Sequence, residues 1–376
     1  MTLEIKRIFA EYDNWLRYRL ARKNTLSEYV VGEVERMLHC RDPDKGFSIY
    51  FCGDCGEYVT RHFSCNGRLC TKCGKRYVDG WSRQLRGRLF PVNHRHIVFT
   101  LPSEFRCLVK EDPELVRVFV GCIQPVLVSV LSYKFRKRLK DEDFKLTPGV
   151  ACFTHTFGED LKFHPHFHCL VTEGGVNDCD DWVDVRYISF EALRKVWQYH
   201  VLIALKEYAP WCSSLVDALF KRYPKGFYVY AKDTVHKTER GFLQYLARYV
   251  RHPAVAESRI LSFDDERVSF FCQHDNGVRE NVTLSVFGFF DALLQHLPVK
   301  GRHLIDYLGL YCNRERLYYF ELLGFVVKQQ TMAQRMLFRG LPRCPKCGKV
   351  MDLIYRQGLT EPSVPPPLGS VISHWV

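Results

Sequence analysis

Two Cys-x2-Cys pairs near the N-terminus have the residue type and spacing of a structural zinc site. Cys52 and Cys55 form the first pair, and Cys70 and Cys73 form the second. Each pair presents two thiolates to one ion, and two pairs complete a tetrahedron around zinc. A glycine follows the second cysteine of each pair, which suits a tight turn. The sequence therefore predicts one structural Zn²⁺ bound by these four cysteines.

Other cysteines lie close to these pairs or far along the chain. Cys40 and Cys65 are interpreted as buried thiols, with Cys65 an alternative member of the second pair. Cys344-x2-Cys347 near the C-terminus supplies only two of the four ligands of a zinc site. This pair either takes further ligands from elsewhere or is the remainder of a zinc knuckle, the tight Cys-x2-Cys turn that binds the ion. The chain has sixteen cysteines and no apparent export signal. These features favour metal ligands and free thiols in a reducing compartment over a disulfide framework.

A histidine pair opens an apolar strand further along the chain. His166 and His168 flank Phe167, and side chains alternate along a strand, so both imidazoles point to one face. If residues 150–157 and 166–172 form a hairpin, His155 lies opposite His166 on that face. Three imidazoles with open positions fit a catalytic ion better than a structural one. Other candidates for the third ligand are Glu159, Asp160 and Gln244.

Two tyrosines lie one helical turn apart in a segment that ends at Pro253. Tyr245 and Tyr249 share a face of this helix, and Arg248 can hold a nearby phosphate. By themselves the tyrosines are typical of a buried stripe. Together with a metal-binding strand in a basic protein, they favour nucleophiles that attack a phosphodiester and form a 5′-phosphotyrosine.

The charge balance favours a polyanionic partner. The net charge is +12, and each neutralised phosphate releases counterions. Residues 134–140 form a basic run, KFRKRLK, which alone is typical of a solvated helix face. Beside the other motifs this run is a candidate DNA-binding surface. The candidate DNA-binding residues are Lys134, Arg136, Lys137, Arg138, Arg248 and Arg251. Unstacked bases suit a basic groove with aromatic residues, so single-stranded DNA is the expected substrate. No membrane span and no signal peptide are expected, so we expect a cytoplasmic protein associated with the bacterial nucleoid.

The elements that must position these residues alternate without a regular βαβ order. Periodicity predicts helices over residues 1–38, 113–138, 190–208 and 239–251, and strands over 96–101, 150–157, 166–172 and 227–231. This pattern favours an α+β fold with a central antiparallel sheet and flanking helices. The predicted domains are a helical and zinc-binding domain (1–90), a nuclease domain (91–320) and a C-terminal extension with a Pro-rich tail (321–376).

The order of these motifs resembles that of the IS91-type transposases of insertion sequences, in the histidine–hydrophobic–histidine (HUH) endonuclease superfamily. The matching stretches are residues 63–74 (FSCNGRLCTKCG), 96–102 (HIVFTLP), 155–158 (HTFG), 164–175 (HPHFHCLVTEGG) and 245–259 (YLARYVRHPAVAESR), with a looser match at 295–298 and 307–311. The resemblance implies that His166 and His168 bind a catalytic Mg²⁺ or Mn²⁺ and that Tyr245 and Tyr249 are the nucleophiles. It also implies rolling-circle-like transposition of one strand, with single-stranded element ends and target DNA as partners.

Two other functions share parts of this pattern. A plasmid or phage rolling-circle replication initiator would use the same histidines and tyrosines. A zinc-dependent DNA-binding protein without catalysis would keep the cysteines and use Tyr245 and Tyr249 as core residues. A homo-oligomer is compatible with each of the three functions.

Overall fold

The computed structural model describes residues 4–185, 187–235, 254–273, 277–324 and 341–357. Within these ranges the helices are α1 (Ile5–Ala10), α2 (Asn14–Ala21), α3 (Glu28–Leu38), α4 (Thr71–Arg86), α5 (Phe105–Glu111), α6 (Leu115–Leu139), α7 (Phe190–Tyr208), α8 (Ser213–Arg222), α9 (Val286–Leu294) and α10 (Arg316–Leu322).

The strands of the same ranges form four antiparallel sheets. They are β1 (Phe47–Phe51), β2 (Tyr58–His62), β3 (His94–Thr100), β4 (Leu146–Thr147), β5 (Gly149–Phe157), β6 (Phe163–Thr172), β7 (Gly174–Asn177), β8 (Trp182–Asp184), β9 (Val229–Val235), β10 (Ile260–Phe263), β11 (Arg267–Gln273), β12 (Arg279–Ser285), β13 (Ile305–Gly309) and β14 (Asp352–Gln357). The sheet orders are β13-β5-β6-β3-β9, β4-β7-β8, β10-β11-β12 and β14-β1-β2.

The five-stranded sheet is the centre of the molecule, and all its neighbouring strands pair antiparallel. Strands β5 and β6 are joined by a short turn, so they form the hairpin that the sequence predicts. An Asp160 carboxylate oxygen accepts from the backbone N–H of Lys162 at 3.1 Å and helps to close this turn. Helices α6 and α7 and strand β3 lie close to their predicted positions. The predicted α+β class with an antiparallel sheet is therefore confirmed.

One face of this sheet is the apolar core face. Phe167, Cys169 and Val171 of β6 alternate toward this face, and Ile97 and Phe99 of β3 join them. Helices α5, α6, α7 and α8 cover it, and their apolar residues belong to the same buried cluster. The alternate residues of these strands, including the histidines, therefore point to the opposite face.

Helix α6 is the one described helix whose length and apolar composition would suffice to cross a membrane. More than half of its apolar window is buried inside the protein, and residues such as Phe119, Ile123 and Leu127 lie in the core that faces the sheet. A buried core helix passes the same test, so α6 is explained by packing.

The N-terminal helices do not pack by themselves. Phe9 of α1 stacks on Phe290 of α9, with ring centroids 3.9 Å apart. Tyr18 of α2 donates to the Asp291 carboxylate at 2.7 Å, and both phenylalanines are almost fully buried. Helices α1–α3 therefore share one hydrophobic core with α9 and the β10-β11-β12 sheet.

The C-terminal segment also returns to the N-terminal region. Strand β14 pairs antiparallel with β1, with Phe47 opposite Gln357, and β1 pairs with β2. Residues beyond 340 thus complete a small sheet that begins near residue 47. The Pro-rich tail lies outside the described residues.

We expect Phe290→Ala to destabilise this shared N-terminal core strongly. Removing a fully buried ring leaves a cavity under α1, which lowers the free energy of unfolding by about 3–5 kcal/mol. Thermal and urea unfolding followed by circular dichroism measure the change. Leu20→Ala, whose side chain is 66% exposed in α2, is the matched control and should have a small effect. Equal effects of the two substitutions would contradict this packing.

Candidate functional site

Three histidines meet on the face of the central sheet that is opposite the core. His155 of β5 is the direct cross-strand partner of His166 of β6, as the hairpin register predicts. His168 lies two residues further along β6, so its side chain points to the same face. The strand pattern therefore places all three imidazoles side by side without any contribution from a loop.

The three imidazoles are close enough to bind one ion. One ring nitrogen of each lies within 4.8 Å of the others. The ring centroids of His155 and His168 are 4.5 Å apart, and those of His166 and His168 are 5.0 Å apart. Three nitrogen ligands leave further coordination positions open for oxygen ligands. This donor set fits a divalent cation that also binds a substrate.

Hydrogen bonds orient two of these rings. The Nδ1 of His166 donates to the backbone carbonyl of His164 at 2.7 Å, so Nε2 is the nitrogen available to an ion. The Nδ1 of His168 lies 2.9 Å from Nε2 of His96 on the neighbouring strand β3, and the two rings stack with an angle of 12° between their planes. Such contacts set the tautomer and the ring direction of metal-binding histidines.

Burial keeps the imidazoles of His166 and His168 neutral. Burial lowers the pKa of His166 to about 4. Burial also lowers the pKa of His168 well below its usual value, and the neighbouring His155, His166 and His96 add to this shift. A neutral imidazole has the lone pair that a metal needs. The site therefore presents ligands in the binding form at neutral pH.

The turn carboxylates that were alternatives for the third ligand are bound elsewhere. The Glu159 carboxylate lies 2.7 Å from the guanidinium of Arg259, and Asp160 pairs with Lys162 at 2.7 Å. His155 is therefore the third member of the cluster. Gln244, the remaining alternative, lies outside the described residues.

His96 is a site residue that sequence reasoning missed. Strand β3 was predicted, but His96 was given no role. The alternation of side chains along β3 could have indicated this role. His94 and His96 share one face of the strand, while Ile97 and Phe99 enter the core. His94 uses this position differently, because its Nε2 lies 2.6 Å from the Tyr311 hydroxyl in a buried contact.

A cavity of about 370 Å³ borders the histidine cluster. His155, Phe157 and Phe163 form part of its wall. Arg302 and Lys110 also line it, so cationic groups lie beside an otherwise largely apolar surface. Ala254, the residue after the 236–253 segment, reaches the same wall. The cavity thus lies between His155 and the point where the described chain resumes after this segment.

The predicted tyrosines Tyr245 and Tyr249 lie outside the described residues, and so do Arg248 and Arg251. Their proposed roles stay predictions. Val235 is the last described residue before this segment, and it pairs with His94 of β3 at the edge of the central sheet.

The basic run of α6 lies apart from the histidines. This helix packs on the core face of the sheet, whereas the histidines are on the opposite face. The Lys134 ammonium nitrogen lies 4.3 Å from the centroid of the Tyr187 ring. The Arg136 Nε donates to the carbonyl of Phe144 at 2.8 Å. Lys137 and Arg138 are exposed. DNA binding by these four residues also stays a prediction.

The structure corrects the prediction of one zinc site from Cys52, Cys55, Cys70 and Cys73. These cysteines belong to two separate clusters, because Cys52 and Cys55 lie in the turn of the β1–β2 hairpin and Cys70 and Cys73 follow the far end of β2. Cys70 and Cys73, at the start of α4, lie with Cys40 and Cys65, which the sequence analysis interprets as buried thiols. The first cluster therefore consists of Cys40, Cys65, Cys70 and Cys73. The thiol sulfurs of Cys40 and Cys73 are 3.5 Å apart.

The second cluster joins the other N-terminal pair to the C-terminal one. Cys52 and Cys55 lie with Cys344 and Cys347, all four sulfurs within 4.8 Å of one another. The half-site at the C-terminus therefore lies against a second Cys-x2-Cys pair from the N-terminal region. Sequence spacing could not show this, because the partner pairs are far apart in the chain.

Comparisons with known proteins identify the class of protein. A family model described as "Transposase zinc-binding domain", from the IS91 group, matches residues 8–101. A second model, described as "Putative transposase", matches residues 149–317, which include the three clustered histidines. The chain is therefore a DNA-processing transposase with a zinc-binding domain.

Two relatives match along nearly the whole chain. The transposase for insertion sequence element IS801 from Pseudomonas savastanoi pv. phaseolicola is 26% identical, over 92% of this chain and 88% of the relative. A protein named "Putative transposase y4qJ" from Sinorhizobium fredii is also 26% identical, over 96% and 97%. No solved structure matches the chain significantly. The chain belongs to the IS91-type transposases.

We expect His96→Phe to weaken binding of Mn²⁺ to the histidine cluster by about 10–100-fold, because His168 loses the contact that orients its ring. Titration of free Mn²⁺ by electron paramagnetic resonance measures this affinity. His39→Phe, an exposed histidine outside the cluster, is the control. Unchanged affinity in His96→Phe would show that this contact does not position the ligand.

Proposed function

We propose that this transposase cuts and rejoins single-stranded DNA at the ends of its element through a tyrosine nucleophile. The observation that carries the proposal is the convergence of His155, His166 and His168 on one sheet face. Three imidazoles with open coordination positions suit a site that also binds a phosphate. The transposase relatives supply the class of reaction, and the chain's own residues supply the steps.

The histidines would hold the divalent ion, Mg²⁺ or Mn²⁺. When bound, this ion would neutralise charge on the non-bridging oxygens of the scissile phosphate. The protein's part is to hold the three rings on one sheet face and to keep His166 and His168 neutral and oriented. His96 and the carbonyl of His164 act as positioning groups, because each fixes one ring nitrogen of a ligand.

Tyr245 or Tyr249 would be the nucleophile. The tyrosine oxygen bonds to phosphorus, the bond from phosphorus to the 3′ oxygen breaks, and the phenolic proton leaves while the 3′ oxygen gains a proton. The products are a 5′-phosphotyrosine and a free 3′-hydroxyl, so the diester energy is retained for rejoining. Only four residues separate Tyr249 from Ala254, which lines the cavity beside His155.

Single-stranded DNA is the proposed substrate because the surroundings combine cationic and aromatic groups. Lys110 lies over the ring of Phe163 at 5.1 Å, next to the histidine cavity. Bases that have left a duplex can stack on such rings while cations contact the backbone. In this proposal the protein acts on DNA in the bacterial cytoplasm.

We expect full-length protein and Mn²⁺ to form a covalent adduct with a labelled single strand that carries the element end. Tyr245→Phe/Tyr249→Phe should abolish the adduct, because no phenolic oxygen is left to attack. Denaturing gel electrophoresis detects the shift of the labelled strand. Tyr208→Phe, an exposed tyrosine of α7, is the matched control and should retain the adduct.

His166→Ala should abolish cleavage and leave the zinc content unchanged, because the histidine cluster and the cysteine clusters are separate. Plasma mass spectrometry measures zinc on the same samples. If wild-type protein binds the strand well but never forms an adduct, a non-catalytic DNA-binding role is correct instead. If His166→Ala cleaves normally, the histidines are not the catalytic metal site.

A further inference from the structure

We propose that Cys52, Cys55, Cys344 and Cys347 bind a second structural Zn²⁺, which fastens the C-terminal segment to the N-terminal region. The four sulfurs lie within 4.8 Å of one another. Cys344 and Cys347 lie far outside the region that matches the transposase zinc-binding domain. This site therefore adds to the metal site that the domain implies.

The two halves of this cluster have the same backbone geometry. The N–H of Gly56 donates to the carbonyl of Cys52 at 2.9 Å, and the N–H of Gly348 donates to the carbonyl of Cys344, also at 2.9 Å. Both glycines have a positive φ, +69° and +73°, which glycine adopts without strain. Two matching Cys-x2-Cys-Gly knuckles facing each other are the arrangement of a closed four-thiolate zinc site.

The sulfur distances fit a tetrahedral ion. Zn–S bonds of about 2.3 Å in a tetrahedron separate the sulfurs by about 3.8 Å, and the sulfurs of Cys52 and Cys347 are 3.6 Å apart. A disulfide would need about 2.05 Å, so the cluster is not a pair of disulfides. Four thiolates around one ion select zinc or iron. We assign zinc, because four closed protein ligands give a purely structural site.

The small sheet around this cluster has little core of its own. Its buried apolar residues are Cys52, Cys344 and Met351, and two of these are themselves ligands. The Asp54–Lys349 ion pair joins the two knuckles at 2.7 Å, but both side chains are more than half exposed, so it stabilises little. Metal binding must therefore supply much of the folding free energy of this unit.

The two cysteine clusters lie at opposite ends of the β1–β2 hairpin. Cys40 and Cys65 flank the open end, whereas Cys52 and Cys55 form the turn. A strand of this length spans about 17 Å. At that separation and with no shared ligand, each site should keep its ion when the other is removed.

Zinc stoichiometry of the full-length protein tests the proposal. Inductively coupled plasma mass spectrometry of protein purified under reducing conditions should find two zinc ions per chain. Cys344→Ser/Cys347→Ser should retain one, and limited proteolysis should then cleave the C-terminal segment faster. Cys107→Ser/Cys179→Ser, two exposed cysteines outside both clusters, is the matched control and should retain two.

Three results would overturn the proposal. They are one zinc in wild-type protein, two in Cys344→Ser/Cys347→Ser, or iron in place of zinc. If that double variant loses both ions, Cys347→His decides, because histidine can replace cysteine as a ligand. In the cobalt-substituted protein, Cys347→His should shift the visible absorption of one of two ions; an unchanged spectrum would exclude Cys347 as a ligand.

Discussion

The register of the β5–β6 hairpin is the constraint on which the candidate active site depends. Side chains alternate with a period of two, so a slip of one residue would turn His155 toward the core and remove it from His166. The same slip would expose Val150 and Cys152 of β5, which are fully buried on the other face. Burial of the apolar face therefore enforces the position of the histidines.

This arrangement also explains why the site is rigid and neutral. The histidines project from paired strands, and their rings contact one another, His96 and the backbone of His164. The helices on the core face hold those strands in place. Burial removes the water that would stabilise a charged imidazole, so the ligands stay ready to bind an ion. A site built on strands needs no loop to become ordered before it can coordinate.

Long-range contacts complete the N-terminal region. Helices α1–α3 bury their apolar faces against α9, and the β1–β2 hairpin pairs with β14. One cysteine cluster is assembled within residues 40–73, whereas the other joins residues about 290 positions apart in the chain. The zinc-binding region is therefore a product of both ends of the chain.

The sequence by itself determined the elements and the local motifs. Apolar periodicity predicted α6, α7 and the hairpin, and the two-residue period predicted that His155 faces His166, because these patterns depend on neighbours in the chain. Only the tertiary structure decided which cysteines share an ion and that His96 contacts His168. Cys-x2-Cys spacing shows that two thiolates form a knuckle, but it does not identify the second knuckle. That choice depends on which strands pair, and strand pairing is set by packing between residues far apart in sequence.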